Sequence, residues 1–264
     1  MDRPLVVLDT ETATLQGAPH LLELGAVRVV DGEIEDSFES FVRPEVAIEE
    51  EATAIHGIAE SDVRNAPTAA EVLERFNAWA GDNWFAAHSA GFDVKVLAYE
   101  HARARLEPPA GLFMDSLKLA KKHIPEAADH KLPTLCQHLE LEEGPHHRAL
   151  SDAVYCWKVI EECFERAGGL QDAKLATFLS GAPLTITSAL PPEPRLPRRL
   201  RPLGAALAEE REVVALYGET SSPASIPLLP RFLFEHRSKG YLEALCPRSG
   251  TLRTYRLDRL HKIL

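Results

Sequence analysis

Five residues in separate parts of the chain combine carboxylate oxygens with an imidazole. Asp9 and Glu11 stand two residues apart at the end of a short apolar run, so in a β-strand both carboxylates project from one face. Asp93 and Asp152 belong to two expected helices. Hard oxygen ligands suit Mg²⁺ or Mn²⁺, and two such ions can clamp the attacking and leaving oxygens of a phosphodiester. Histidine ordinarily titrates near neutral pH, so His147 can accept a proton from water.

These residues must be brought together by elements that alternate between strands and helices. The periodicity predicts strands at 4–9, 22–30, 34–42, 84–87 and 112–114, and helices at 68–80, 92–105, from 116, at 132–139 and at 149–167. An antiparallel start followed by alternating strands and helices predicts an α/β fold, a mixed sheet flanked by helices. Short strands at 213–217, 231–235, 241–246 and 252–255 predict a small C-terminal β-barrel or half-barrel.

The composition is that of a globular chain with a sizeable core. It has 264 residues, of which 45% are hydrophobic and 26% charged. The N-terminus has no signal-peptide pattern, and no apolar run approaches the roughly 18 residues of a membrane span. The cysteines form no CxxC pair; they are Cys136, Cys156, Cys163 and Cys246. We therefore expect a cytoplasmic protein with reduced cysteines, rather than a secreted or membrane protein.

Charge divides the chain into two parts. Residues 1–186 hold 16 Lys and Arg against 32 Asp and Glu, a net charge of −16, whereas residues 187–264 have a net charge of +5. Prolines and arginines crowd the junction. We expect an acidic catalytic domain at 1–180, a linker at 181–202 and a basic domain at 203–264. The arginines of the linker fit either a solvated segment or contacts to phosphates.

The order and spacing of three motifs resemble a known family. D-T-E-T at 9–12, H-x-x-x-F-D at 88–93 and H-R-A-L-x-D at 147–152 look like the motifs of the DEDDh 3′–5′ exonucleases, which have an RNase H-like fold. The related DEDDy group has a tyrosine four residues before the last aspartate, where this chain has Arg148. The resemblance covers about residues 4–168. It implies that Asp9, Glu11, Asp93 and Asp152 hold two divalent cations and that His147 is the general base.

The same resemblance implies residues that contact the 3′-terminal nucleotide. In the family, a leucine after the D-x-E wedges beside the terminal base, and an H-G-I segment lines the pocket around it. The corresponding positions here are Thr10, Thr12, Leu15, His56, Ile58 and Phe92, the last expected to pack under the site. Two positions depart from the family pattern, since Ala13-Thr14 replaces Thr-Gly and Ser89 replaces asparagine. Core packing is the alternative interpretation of Leu15, Ile58 and Phe92.

The basic tail resembles a WYL domain, a small Sm-like β-barrel. The resemblance is carried by GYLEALC at 240–246 and TLRTYRLDRLHKI at 251–263, with Gly240 in place of the usual tryptophan. It implies a polar face for nucleic acid or a nucleotide-like ligand, formed by Tyr241, Arg253, Arg256 and Arg259, with Arg231 and Arg237 as helpers. Arginine forks suit phosphates and an aromatic ring can stack on a base. The alternative is a solvated face whose arginines pair with Glu243 and Asp258.

These observations predict a metal-dependent 3′–5′ exonuclease that releases nucleoside 5′-monophosphates from single-stranded or frayed DNA. No polymerase-clamp peptide is evident in the sequence, so repair or defence is the expected setting. The first alternative is an exonuclease acting on RNA, because the sequence does not show how a 2′-hydroxyl would be received. The second is a regulatory binding protein whose tail senses an oligonucleotide, with the exonuclease fold only as a scaffold. The third is a nuclease that the WYL-like tail gates by binding a ligand.

Overall fold

The computed structural model describes residues 3–141, 147–168 and 184–264, which form two compact units. The first comprises Met1–Leu190 and the second Pro191–Leu264. Of the predicted linker, 184–190 therefore belongs to the first unit and 191–202 to the second, while 181–183 lies outside the described residues. Among the described residues, no helix combines the length and apolar character that crossing a bilayer requires.

The first unit is built on a five-stranded mixed sheet, which confirms the predicted α/β class. Its strands are β1 (Leu5–Thr12), β2 (Leu21–Val30), β3 (Glu33–Phe41), β4 (Trp84–Ala87) and β5 (Phe113–Asp115). The order across the sheet is β3-β2-β1-β4-β5. β1, β2 and β3 pair antiparallel, whereas β4 pairs parallel with both β1 and β5. The first strand is thus central, and it continues three residues beyond the predicted end at Asp9, so that Glu11 also lies within it.

Helices cover both faces of this sheet. They are α1 (Glu50–His56), α2 (Glu60–Val63), α3 (Ala69–Ala80), α4 (Gly91–Ala104), α5 (Ser116–His123), α6 (Leu132–His138) and α7 (Ala149–Arg166). α3 begins at the predicted cap, where Thr68 and Glu71 exchange side-chain and backbone hydrogen bonds. α1 and α2 were not predicted, since neither has a capping hydroxyl or a long apolar face.

Alternation along β1 decides which helices its polar residues meet. Leu5 and Val7 pack with α5, α6 and α7, whereas Val6 and Leu8 pack with α3 and α4. By the same period of two, Asp9 and Glu11 continue the face toward α7, and Thr10 continues the face toward α4.

The second unit contains a five-stranded antiparallel sheet and one helix. The strands are β6 (Val213–Tyr217), β7 (Ala224–His236), β8 (Lys239–Leu245), β9 (Leu252–Arg256) and β10 (Leu260–Ile263), in the order β10-β6-β7-β8-β9. The sheet curls enough for Tyr217 and Tyr255, on strands separated by two others, to meet edge to face with centroids 5.1 Å apart. α8 (Arg201–Ala208) buries Leu203 and Ala206 in the same core.

Three features of this unit differ from the sequence expectation. β7 starts at Ala224, whereas the sequence pattern predicted a start at 231. The prediction missed residues 224–230 because Pro227 and Pro230 interrupt the alternating pattern, although the strand contains both prolines. β10 was not predicted. Residues 198–202 are helical rather than an extended linker, since the buried side chain of Leu200 ties them to the core.

Candidate active site

The carboxylates of Asp9 and Glu11 lie on the side of β1 that faces α7, as the two-residue spacing predicts. Burial raises the pKa of Asp9 well above its usual range, and repulsion from Asp93 and Asp152 adds to this. Burial likewise raises the pKa of Glu11 to about 8, helped by the charge of Asp152. Carboxyl groups with such pKa values are held close together in an environment that disfavours their negative charge.

Asp93 reaches the cluster from the first turn of α4 and is 1% exposed. The hydroxyl of Thr10 donates a hydrogen bond of 2.8 Å to its Oδ1 atom. Burial raises the pKa of Asp93 to about 7, although the Thr10 hydrogen bond acts in the opposite direction. β1 thus contributes on both faces, with carboxylates on one side and a hydroxyl that orients Asp93 on the other.

Asp152 and His147 are joined at the start of α7. The backbone N–H of His147 donates to Oδ2 of Asp152 at 2.9 Å, and Asp152 is buried on the first turn of the helix. His147 has an exposed side chain and a left-handed backbone, with φ of 60°. Ligand atoms of Glu11, His147 and Asp152 all lie within 4.8 Å of one another. The cluster therefore holds acids from three elements, and a histidine at its exposed side.

This donor set fits divalent cations. Carboxylate oxygens are the ligands that Mg²⁺ and Mn²⁺ prefer. Burial, together with repulsion between the carboxylates, raises the pKa values of Asp9 and Glu11, and bound cations would offset both effects. Asp9, Glu11, Asp93 and Asp152 are the residues that would hold them.

The contact between Glu23 and Arg148, next to the carboxylate cluster, was not predicted from the sequence. Glu23 on β2 stands opposite Glu11 in the strand register and is fully buried. Its carboxylate accepts hydrogen bonds from Nε of Arg148 at 3.1 Å, from its terminal nitrogen at 2.8 Å, and from the backbone N–H of Ala149 at 3.0 Å. In the sequence, Glu23 stands out only as the single acidic residue of the apolar strand LLELGAVRVV.

Two residues of the expected nucleotide pocket, His56 and Ile58, are buried. His56 is buried, and its Nδ1 atom accepts the N–H of Ile58 at 3.0 Å. Burial lowers the pKa of His56. Ile58 is 3% exposed and packs with Ala13 and Leu22, as the core-packing alternative predicts.

Two apolar side chains near the carboxylates are exposed. Leu15 is 49% exposed, in the loop that follows β1, and its N–H donates to the carboxylate of Glu49 at 2.8 Å. Phe92 is 50% exposed, so the expectation that it packs under the site is wrong. The reason is helical geometry: α4 starts at Gly91, and the turn that buries Asp93 rotates its neighbour outward. Thr10 and Thr12 are buried.

His88, the first residue of the H-x-x-x-F-D motif, makes structural contacts through both nitrogens of its ring. Its Nδ1 atom lies 2.8 Å from the hydroxyl of Ser116, and its Nε2 atom lies 2.9 Å from the carbonyl oxygen of His130. Both ring nitrogens are therefore engaged.

The C-terminal candidates lie on β8, β9 and the turn after β9. The ring of Tyr241 stacks on that of Phe234, with centroids 5.3 Å apart. Arg256 pairs with Asp258 through Nε at 3.0 Å, the ion pair that the alternative interpretation predicted. Arg253 and Arg259 have exposed side chains. At Gly240 a Cβ atom would lie 2.7 Å from a Leu257 methyl group, so this position has little room for the usual tryptophan.

Comparison with known proteins agrees with these geometries. The model of the exonuclease family matches residues 6–160, and the model of the WYL domain matches residues 198–263. The DNA polymerase III PolC-type protein of Oceanobacillus iheyensis is 37% identical over 166 residues, which are 61% of this chain but only 12% of that protein. The chain thus spans a small part of its curated relative.

Two solved structures share the fold of the first unit. Exonuclease X in complex with 5′ overhanging duplex DNA is 30% identical, with a TM-score of 0.52 over 62% of this chain and 93% of that one. The nuclease domain of 3′hExo, a DEDDh family member bound to rAMP, is 20% identical, with a TM-score of 0.55 over 63% of this chain and 93% of that one. The chain therefore belongs to the exonuclease family and carries a C-terminal WYL domain.

Proposed function

We propose that the chain is a metal-dependent 3′–5′ exonuclease that removes nucleoside 5′-monophosphates from single-stranded or frayed DNA. The observation that carries this proposal is the cluster of Asp9, Glu11, Asp93 and Asp152, which has His147 at its exposed side. The pKa values of the acids are raised because negative charges are crowded in a buried space. Such a site suits cations and, through them, a phosphodiester.

Two divalent cations, Mg²⁺ or Mn²⁺, would neutralise the carboxylates when bound and stabilise charge on the attacking and leaving oxygens. The residues of the chain have separate tasks. The four carboxylates would hold the ions at the place where the terminal phosphodiester binds. An imidazole nitrogen of His147 takes a proton from the attacking water, and its exposed side chain is accessible for this transfer. Thr10 keeps Asp93 oriented through its hydroxyl.

The apolar side chains around the cluster support an unpaired 3′ terminus as the substrate. Leu15 and Phe92 present exposed apolar surface beside β1 and α4, where a terminal base could be wedged and stacked. The backbone of Thr10 and Thr12, together with His56, would line the terminal sugar, and Ile58 would support this pocket from the core. DNA is favoured over RNA because Exonuclease X, the 30% identical relative, is bound to DNA.

The basic C-terminal unit supports a second contact with nucleic acid. A part of the strand distant from the cleaved 3′ end would bind to Tyr241, Arg253 and Arg259. Arg256 would join them while it remains paired with Asp258. For this combination of a nuclease with a binding module we propose a role in DNA repair or defence. The four free cysteines fit the reducing cytoplasm.

Digestion of end-labelled oligonucleotides tests polarity and substrate together. With Mn²⁺ or Mg²⁺, 5′-labelled single-stranded DNA should shorten stepwise, and 3′-labelled DNA should release its label as a mononucleotide at once. RNA of the same sequence should be cut more slowly. Faster digestion of RNA would favour the RNA alternative, and shortening from the 5′ end would refute the proposed polarity.

A further inference from the structure

Glu23 adds a negative charge beside the four carboxylates that are proposed to hold the cations. It lies opposite Glu11, and its charge contributes to the raised pKa values of Glu11 and Asp9. A neutral residue would avoid this repulsion. The carboxylate is nevertheless fully buried and accepts four hydrogen bonds, three from the guanidinium of Arg148, whose Nε reaches both oxygens, and one from the N–H of Ala149. A charge retained in such a position, with a forked partner, indicates a geometric task.

Arg148 and Ala149 directly follow His147, whose backbone is left-handed with φ of 60°. Few residues other than glycine adopt this conformation unless neighbouring contacts hold them in it. On one side, the N–H of His147 is bound to the carboxylate of Asp152. On the other, the next two residues are bound to Glu23.

Close packing of β2 against the first residues of α7 also holds this turn. At Gly25, two residues along β2 from Glu23, a Cβ atom would lie 2.1 Å from the backbone nitrogen of Leu150. The start of α7 thus rests directly on the backbone of β2. Glu23 and Gly25 project toward α7 because residues two apart on a strand share a face.

We propose that Glu23 and Arg148 form a positioning pair that fixes His147 over the carboxylate cluster. Neither residue needs to touch the substrate; the pair acts through the backbone of residues 147–149. This inference rests on the proposed role of His147 as proton acceptor. It explains why a buried acid that is not proposed as a metal ligand stands beside Glu11.

Kinetics of the full-length protein test the pair. We expect Arg148→Met to lower kcat about 100-fold, since small displacements of a reacting group have effects of that size, with KM for single-stranded DNA changed less than about twofold. Arg148→Lys, which keeps the charge but not the fork, should recover part of the loss. In the His147→Ala background, Arg148→Met should lower kcat less than about twofold further, because both changes remove the same contribution.

Asp36→Asn is the matched control. It removes the partner of Arg28, which makes another ion pair from β2, with an N–O distance of 2.7 Å, and kcat should stay unchanged. If Arg148→Met leaves kcat intact, or if its effect multiplies fully with that of His147→Ala, the pair does not act through His147 and the inference is overturned.

Hydrogen exchange supplies a readout that does not depend on catalysis. In Arg148→Met the amide of His147 should exchange about tenfold faster, whereas amides of Val159 and Ile160 within α7 should keep their rates. Unchanged exchange at His147 would overturn the inference even if activity fell. A fully active His147→Ala variant would instead refute the proton acceptor assigned above, and exchange alone would then decide whether the pair holds this turn.

Discussion

The hydroxyl of Thr10 and the carboxylate of Asp93 meet across the α4 face of β1, at 2.8 Å, with both residues nearly fully buried. This hydrogen bond favours the ionised form of Asp93 and opposes the pKa rise that burial causes. We expect Thr10→Val to raise the pKa of Asp93 further, so that half-maximal activity at neutral pH requires more metal. Thr10→Ser, which keeps the hydroxyl, should behave like the wild type. Metal titrations of activity check this, and an unchanged requirement in Thr10→Val would exclude the orienting role.

Stability of the metal-free protein should fall as pH rises. Glu11 and Asp93 have pKa values of about 8 and 7 in the fold, above their values of 4.5 and 3.8 in an unfolded chain. Between these limits the folded state binds more protons than the unfolded state, so the free energy of unfolding decreases from about pH 4 to about pH 8. Thermal unfolding in EDTA measures this slope. Mg²⁺ or Mn²⁺ should raise Tm most at the alkaline end, and a Tm in EDTA that rises across this range would contradict the charge crowding.

Removing the imidazole of His147 should affect catalysis rather than binding. We expect His147→Ala to lower kcat about 10²- to 10⁴-fold with little change in KM, because a general base acts on the transition state. Because the side chain is exposed, the substitution should leave Tm nearly unchanged, and Tm serves as the control. A rise in KM together with a fall in Tm would instead show that His147 has a structural role.

Leu15 and Ile58 separate substrate contact from core packing. Ile58→Ala should reduce stability by about 2–5 kcal/mol, since the side chain is 3% exposed. Leu15→Ala should leave Tm within about a degree, because half of the side chain is exposed and such surface changes cost little. It should nevertheless raise KM for single-stranded DNA. Equal KM values for Leu15→Ala and the wild type would remove the proposed wedge.

The charge on the C-terminal unit should govern the salt dependence of binding. We expect Arg253→Ala and Arg259→Ala to weaken DNA binding and to lower the slope of log affinity against log salt by about one each if both contact phosphates. Arg211→Ala, which removes a partner of Glu209 in the same unit, is the control. A rise in kcat with unchanged affinity would instead indicate that this unit gates the nuclease.

Local patterns were sufficient to predict that the carboxylates of Asp9 and Glu11 project from one side of a strand, whereas the motif order and the family resemblance selected the full set of four acids. Asp9 and Glu11 follow four apolar residues of β1, and the strand period fixes their common side. The capping box at Thr68 fixed the start of α3 in the same way. Such features depend on residues close in sequence, where steric and hydrogen-bonding preferences are strong.

The missing parts depend on contacts between distant residues. Glu23 and Arg148 are 125 positions apart and meet only because α7 rests on β2. Phe92 is exposed because α4 packs on the sheet with Asp93 turned inward, and this orientation depends on tertiary contacts. Only the second half of β7 was predicted. Prolines usually interrupt strands, whereas β7 accommodates two of them.

The product of a single turnover tests the central claim most directly. Single-stranded DNA is digested with Mg²⁺ in water enriched in ¹⁸O, and the released mononucleotides are weighed by mass spectrometry. The account predicts nucleoside 5′-monophosphates with one ¹⁸O on the phosphate, formed by the wild type and abolished in Asp93→Asn with its fold intact. Release of 3′-monophosphates, or equal release by Asp93→Asn, would contradict it.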